Sequence, residues 1–199
     1  MRASLRGYRA VWLRIHRLRG SIWLRFLLRL NAVDVVGPAK GRGWPFIANY
    51  GTLRIGSGLM LASGVLGNPV GGSGRVIIVV RPGASLTLGE NVRISNAEIY
   101  CAKNIQIGSN VLIGGGAKIY DTDFHSICWQ ERRASPDTMV KSGHVVIGDD
   151  VFVGGGAMVL KNVSIGPRSV IGALSVVTKS IPPDQVWAGN PACFVKEIG

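Results

Sequence analysis

The chain has 199 residues, including 28 glycines but only five phenylalanines, five tryptophans and four tyrosines, so Val, Ile, Leu and Ala must build its core. The net charge is +12. Residues 1–30 contribute +8, because they include eight arginines and no acidic residue, and the remaining 15 basic and 11 acidic residues contribute +4. Three cysteines, an odd number without metal-ligand spacing, argue against a disulfide framework and favour a reducing cytoplasm.

Residues 1–32 are predicted to form a basic amphipathic helical extension, because apolar side chains recur at spacings of three and four with arginines between them. The predicted apolar stripe comprises Leu5, Tyr8, Val11, Trp12, Ile15, Leu18, Ile22, Phe26 and Leu30. No uncharged run in it exceeds five residues, so we expect neither a transmembrane span nor an exported chain.

Two interpretations of this helix stay open. It lies on an anionic membrane surface as a peripheral contact through residues 1–30, or it packs its stripe on the rest of the chain or a sister subunit. Nucleic-acid binding is not expected, because no recognition module accompanies the arginines.

Residues 33–83 are glycine-rich and only loosely periodic, which predicts an irregular capping region and early coils. Residues 53–56 and 76–80 are expected to be strands. A cap is needed at this end because the first coil of a solenoid otherwise presents open strand edges.

Residues 84–181 carry a repeat of six residues, which fits neither a helix nor an alternating strand and predicts short strands joined by identical corners. The clearest run is Ile147, Val153, Val159, Ile165, Ile171 and Val177, and glycine follows four of these residues. The same phase recurs at Ile107, Ile113 and Ile119, and at Leu88, Ile94 and Tyr100 with one extra residue after that triplet. Each aliphatic residue is expected to point inward, with the following glycine at a corner where a side chain would clash.

An inserted loop at 120–145 interrupts the repeat, because Ile119 and Ile147 are 28 residues apart where six would continue the coil. Loops held on a rigid scaffold often carry the chemistry, and this one contains His125. An imidazole can accept a proton from a hydroxyl and return it to a leaving group. Asp121 or Asp123 is expected to hold its other ring nitrogen.

The hexads, the Asp-Thr-Asp-Phe-His-Ser loop at 121–126, the segment 171–183 and the Ala-Gly-Asn-Pro-Ala motif at 188–192 together resemble the hexapeptide-repeat acyltransferases, particularly the O-acetyltransferases of sugars and surface polysaccharides. The resemblance implies an all-β, left-handed parallel β-helix, with residues 182–199 as a C-terminal cap. It also implies homotrimers with active sites between subunits.

The resemblance implies a set of site residues. His125 matches the family's general base, and Asn96, one coil upstream, is the nearest match to an asparagine that positions the acceptor. Asp123 completes the catalytic candidates. The matches for the acetyl-CoA site are Gly155, Ala173, Thr178, Lys179 and Lys196, whereas Phe194 stands where some relatives carry a basic residue.

The function expected from this resemblance is transfer of acetyl from acetyl-CoA to a saccharide hydroxyl, in the cytoplasm or on the inner face of the membrane. A saccharide linked to a lipid is one acceptor that this expectation includes. An acetyltransferase of an antibiotic, a free sugar or serine is the alternative, followed by a non-catalytic scaffold. No metal is expected, since a zinc site with three histidines would have to combine His125 and His144 with His16 in the helix.

Overall fold

The computed structural model describes residues 2–70, 72–133 and 139–199, and the side chains of these residues except 2–13 and 17. The chain forms a parallel β-helix with three walls, sheets of six, eight and six strands. Up to the C-terminal hairpin, each strand pairs with the strand three positions along the chain, so the sheets stack one coil on the next.

The strands of the first three coils are β1 (Asp34–Val35), β2 (Lys40–Arg42), β3 (Phe46–Asn49), β4 (Thr52–Ile55), β5 (Met60–Ala62), β6 (Ile77–Val80), β7 (Ser85–Leu88), β8 (Arg93–Ser95) and β9 (Glu98–Cys101). The next three coils contain β10 (Asn104–Ile107), β11 (Leu112–Ile113), β12 (Lys118–Tyr120), β13 (His144–Ile147), β14 (Phe152–Val153), β15 (Met158–Val159), β16 (Val163–Ile165), β17 (Val170–Ile171) and β18 (Val176–Val177). The helices are α1 (Arg2–Leu30), α2 (Gly64–Gly67) and α3 (Trp129–Arg133).

The hexad residues form the core, as the repeat predicts. All six residues of the run from Ile147 to Val177 are at most 1% exposed. Each such burial stabilises the fold by about 1.5–3 kcal/mol. The corner glycines are also confirmed: a Cβ on Gly148, Gly154, Gly166 or Gly172 would lie 2.6, 2.6, 2.3 or 2.8 Å from an atom of the next coil.

The predicted phase is wrong at Tyr100. Ile99 pairs with Ile119 in register and is buried, while Tyr100 faces outward. The reason lies at the preceding corner, where Asn96 adopts a left-handed conformation (φ 43°) and one residue fewer separates the two walls. Asparagine tolerates this conformation better than most residues.

Helix α1 caps the first coil, but with a face other than the predicted stripe. Gly20, Leu24, Leu27 and Leu28 are buried against β2 and β3, whereas the stripe residues from Ile15 to Leu30 are exposed. The approach is close, since a Cβ on Gly20 would lie 2.8 Å from the Gly41 carbonyl oxygen. The Ser21 hydroxyl donates to that same oxygen at 3.2 Å.

Residues 33–83 form two coils with one inserted loop, and the expected strands at 53–56 and 76–80 correspond to β4 and β6. The loop follows β5 and includes α2. These coils are more regular than the sequence suggested. Helix α1 covers the first coil, and the strands of that coil pair with the next coil as the later strands do.

The chain ends in an antiparallel hairpin of β19 (Gln185–Ala188) and β20 (Cys193–Glu197), with β19 parallel to β17. Trp187 is half-buried against the core, and its indole N–H donates to the Gln185 side chain at 2.8 Å. All three cysteines are free.

Candidate functional site

One corner of the β-helix brings together several of the predicted site residues. The register of β8, β11, β14 and β17 places Asn96, Gly115, Gly155 and Ala173 one above the other. Backbone bonds of 2.9 Å from Gly116 to Asn96, from Gly156 to Gly115 and from Leu174 to Gly155 connect the successive turns. We call these four residues the corner column, which spans about 14 Å at the spacing of adjacent strands.

The corner column projects little from the surface of the β-helix, because three of its four residues have no side chain larger than a methyl group. Gly155 and Ala173 are accessible to solvent rather than buried. A Cβ on Gly155 would already approach the Gly115 carbonyl oxygen to 3.2 Å. Such a shallow surface, formed partly by backbone atoms, leaves room for a thin, flexible ligand chain. Larger side chains at these positions would exclude it.

Asn96, at one end of the column, is buried and fully engaged. Its Oδ1 accepts from the Gly64 amide at 2.7 Å. Its Nδ2 donates to the carbonyls of Asn68, Val70 and Gly72 at 3.0, 3.4 and 3.4 Å. The observed side chain therefore secures the loop after β5; its proposed contact with an acceptor stays a prediction.

That loop borders a groove of about 440 Å³ on the wall before the corner column. Ser95 and Gly114, each one residue ahead of a column member, line the groove, as do Arg42 and Arg93. Two guanidinium groups on one wall make the groove suitable for an anionic ligand.

The inserted loop begins with Asp121, whose carboxylate is completely buried and faces backbone amides. It accepts hydrogen bonds from the amides of Ala102, Lys103 and Asn104 at 2.6, 2.8 and 2.8 Å. Asp121 thus attaches the start of the loop to the neighbouring coil. Of the two carboxylates considered for orienting the histidine, this one already has other partners.

Asp123 pairs with Lys161, with Oδ1 and Nζ 2.5 Å apart and both side chains about three-quarters buried. Sequence reasoning missed Lys161. Its signal lay in the register: Ile119 pairs with Val159, so position 161 lies one coil from position 121 at the corner where the loop leaves. This ion pair connects the loop to the following coil.

The residue before His125 anchors the loop from the other side. The Phe124 ring packs on Tyr100 and Tyr120, with centroids 4.8 and 5.0 Å apart. The Tyr120 hydroxyl donates to Glu98 at 2.5 Å, and burial, followed by that carboxylate, raises the pKa of Tyr120. Directly after these attachments, His125 is exposed on the surface.

The corner column and the loop that carries His125 lie at opposite ends of the strands of the same wall. The column precedes β9, β12, β15 and β18, and the loop follows β12. Three residues of β12 separate the two corners, about 10 Å of extended chain. One chain therefore displays the two parts on adjoining corners of its surface.

The remaining predicted site residues lie beyond the last coil. Thr178 and Lys179 follow β18 directly, and Lys196 lies on β20, where it pairs with Val186. All three side chains are exposed. The structure places them at the same end of the β-helix, and their contact with a ligand stays a prediction.

Among the described residues, no group of three or more His, Cys, Asp and Glu side chains is arranged to hold a metal ion. Within residues 2–70, 72–133 and 139–199, no helix has the length and apolar character needed to cross a membrane.

Comparison with known families decides the nature of the repeat, since residues 144–179 match the profile described as bacterial transferase hexapeptide (six repeats). Residues 144–179 therefore carry the hexapeptide repeat of that profile. The predicted all-β, left-handed parallel β-helix with an N-terminal helix and a protruding loop is confirmed.

Similar proteins extend the likeness. The chain is 33% identical over 126 residues to galactoside O-acetyltransferase of Escherichia coli K12, covering 60% of each chain. It is 38% identical over 105 residues to a chloramphenicol acetyltransferase of Klebsiella aerogenes, covering 46% of this chain and 50% of that one. The chain thus spans half to three-fifths of the length of these relatives.

A hexapeptide-repeat acetyltransferase of Vibrio cholerae O1 biovar eltor, solved as a complex with acetyl coenzyme A, superimposes with a TM-score of 0.53. It is 33% identical, and the match covers 57% of this chain and 61% of that one. The resemblance to hexapeptide-repeat acetyltransferases noted in the sequence is confirmed.

Proposed function

We propose that this hexapeptide-repeat protein is an O-acetyltransferase that moves acetyl from acetyl-CoA to a saccharide hydroxyl. The observation that carries the proposal is the shallow corner column, with a firmly attached loop bearing His125 at the adjoining corner. The acetyl-CoA complex of the similar Vibrio cholerae protein supports the donor.

In the proposed reaction, His125 accepts the proton of the acceptor hydroxyl while that oxygen attacks the thioester carbonyl. The carbon–sulfur bond breaks, the coenzyme A thiolate leaves, and the proton on the imidazole passes to the sulfur. No acyl-enzyme forms, so donor and acceptor must be bound together. General-base assistance of this kind contributes about 100- to 10,000-fold.

The pantetheine arm of acetyl-CoA is proposed to lie along Gly155 and Ala173, where the wall is lowest. Thr178, Lys179 and Lys196 would meet the nucleotide end, with the two ammonium groups near its phosphates. Asn96 would act at the acceptor end, either directly or by holding the loop after β5. Asp123 would act through its ion pair with Lys161, which holds the loop ahead of His125.

The proposed active unit is a homotrimer. The loop that carries His125 and the corner column lie at adjoining corners of one chain, separated by the three residues of β12, about 10 Å of extended chain. Packing the loop of one subunit against the column of the next would bring the base to the thioester, and a closed cyclic arrangement repeats this contact three times.

Two relatives point to different acceptors: the Escherichia coli protein is named for galactosides and the Klebsiella aerogenes protein for chloramphenicol. The groove with Arg42 and Arg93 favours an acceptor that carries an acidic group. An acidic or phosphate-linked saccharide meets this requirement, whereas a neutral antibiotic does not use it. We therefore propose a saccharide, attached to a lipid carrier, acetylated by a cytoplasmic enzyme in peripheral contact with the membrane through residues 1–30.

The test measures thiol release from acetyl-CoA with a panel of neutral sugars, acidic sugars, chloramphenicol and serine as acceptors. His125→Ala should lower kcat at least about 100-fold. His144→Ala, the matched histidine variant on β13, should leave it unchanged. Turnover by His125→Ala at the native rate would overturn the assigned base, and no thiol release with any acceptor would favour a scaffold.

A further inference from the structure

No described residue covers the outward face of α1, which is an apolar surface. Ile15, Leu18, Ile22, Phe26 and Leu30 are 44–67% exposed. They lie within about 60° of a common direction around the helix axis, and Leu24, Leu27 and Leu28 lie on the opposite side. We call these five exposed residues the outer stripe; it runs about 22 Å along the helix.

The position of the outer stripe follows from how α1 is attached. Its other face is occupied by the first coil, where Gly20 and Gly41 make a close backbone approach. The outer stripe therefore points away from the β-helix, beyond its first coil. Trp44, 53% exposed, extends the apolar surface beside it through ring contact with Trp23.

Four arginines accompany the outer stripe. Arg14, Arg19, Arg25 and Arg29 are exposed, within about 100° of the centre of the stripe. The helix contains no acidic residue. Apolar side chains interspersed with and bordered by cations of one sign match the headgroup and acyl layers of an anionic bilayer.

We propose that the outer stripe binds anionic phospholipid, with α1 lying parallel to the bilayer surface. A second copy of this chain is a poorer occupant, because an isologous contact between two such faces would bring their arginines together. The proposal rests on the membrane contact of the proposed function, for which it identifies the face and the lipid chemistry, and it does not require acetyl transfer.

The test is co-sedimentation of the full-length protein with vesicles of phosphatidylcholine alone and of phosphatidylcholine with phosphatidylglycerol. We expect binding only to the anionic vesicles, falling as salt is raised, because each interfacial arginine contributes about a fivefold factor. Leu18→Gln/Ile22→Gln/Phe26→Gln should reduce binding at least about tenfold. These side chains are exposed, so the thermal unfolding midpoint should not change.

A matched control replaces three exposed apolar residues elsewhere, Val65→Gln/Leu66→Gln/Val70→Gln in the loop after β5, and should bind vesicles like the native protein. Equal vesicle binding by the native protein and the stripe variant would overturn the proposal. So would a stripe variant that loses subunit association, or binding to RNA in place of vesicles. Acetyl transfer to a soluble acceptor should continue in the stripe variant, which separates failure of this proposal from failure of the proposed function.

Discussion

Replacing Asp121 by asparagine should destabilise the protein without directly removing a catalytic group. The buried carboxylate accepts three backbone hydrogen bonds, at 2.6, 2.8 and 2.8 Å. Hydrogen bonds to a charged group contribute about 1.5–3 kcal/mol each. An asparagine oxygen at the Oδ2 position can keep the bonds from Lys103 and Asn104, but the NH₂ group then faces the Ala102 amide, donor against donor. We expect a loss of about 3–5 kcal/mol in the free energy of unfolding.

The assay is urea unfolding followed by circular dichroism. Asp149→Ala is the matched control, because Asp149 is exposed and accepts one backbone bond, from Ser109 at 2.7 Å; its loss should cost about 1 kcal/mol or less. A variant Asp121→Asn as stable as Asp149→Ala, yet as inactive as His125→Ala, would refute the structural role and restore Asp121 as the residue orienting the histidine.

Lys161→Met should lower kcat about tenfold to a hundredfold, because the ion pair with Asp123 positions the loop. The double variant Asp123→Asn/Lys161→Met should lose little more activity than either single variant, and additive losses in the two would contradict the coupling. The control Arg168→Gln breaks an exposed ion pair and should leave kcat unchanged. Burial, with the Asp121 charge, raises the pKa of Cys101 to about 12, so its thiol stays protonated up to strongly alkaline pH. Mass spectrometry after iodoacetamide treatment at mildly alkaline pH should find the two exposed cysteines labelled and Cys101 labelled only after unfolding; rapid labelling of all three would contradict it.

The strand and corner pattern was readable from the sequence because each hexad repeats the same local requirement: one inward aliphatic side chain and one corner without room for a Cβ. The prediction failed at Tyr100, where a corner is one residue shorter. A fixed period cannot register that change, since Asn96 accommodates it through backbone conformation and its bonds to the loop after β5.

The position of His125 in a loop was also predicted from the interrupted period. The partner of Asp123 was not, because Lys161 is 38 residues away and only the stacking of coils makes it a neighbour. Asp121 shows the same effect. An aspartate can accept hydrogen bonds from a histidine or from backbone amides, and here the neighbouring coil supplies three amides.

Helix α1 separates the two kinds of information most clearly. Its amphipathic spacing and its arginines are properties of the local sequence, so the helix and the apolar stripe could be predicted directly. Which face would pack could not, because Leu24, Leu27 and Leu28 supply a second apolar face, and the glycines at positions 20 and 41 allow the closest approach only there. Short-range periodicity determines elements and inward-facing residues; contacts between distant segments determine partners and leave the outer stripe exposed.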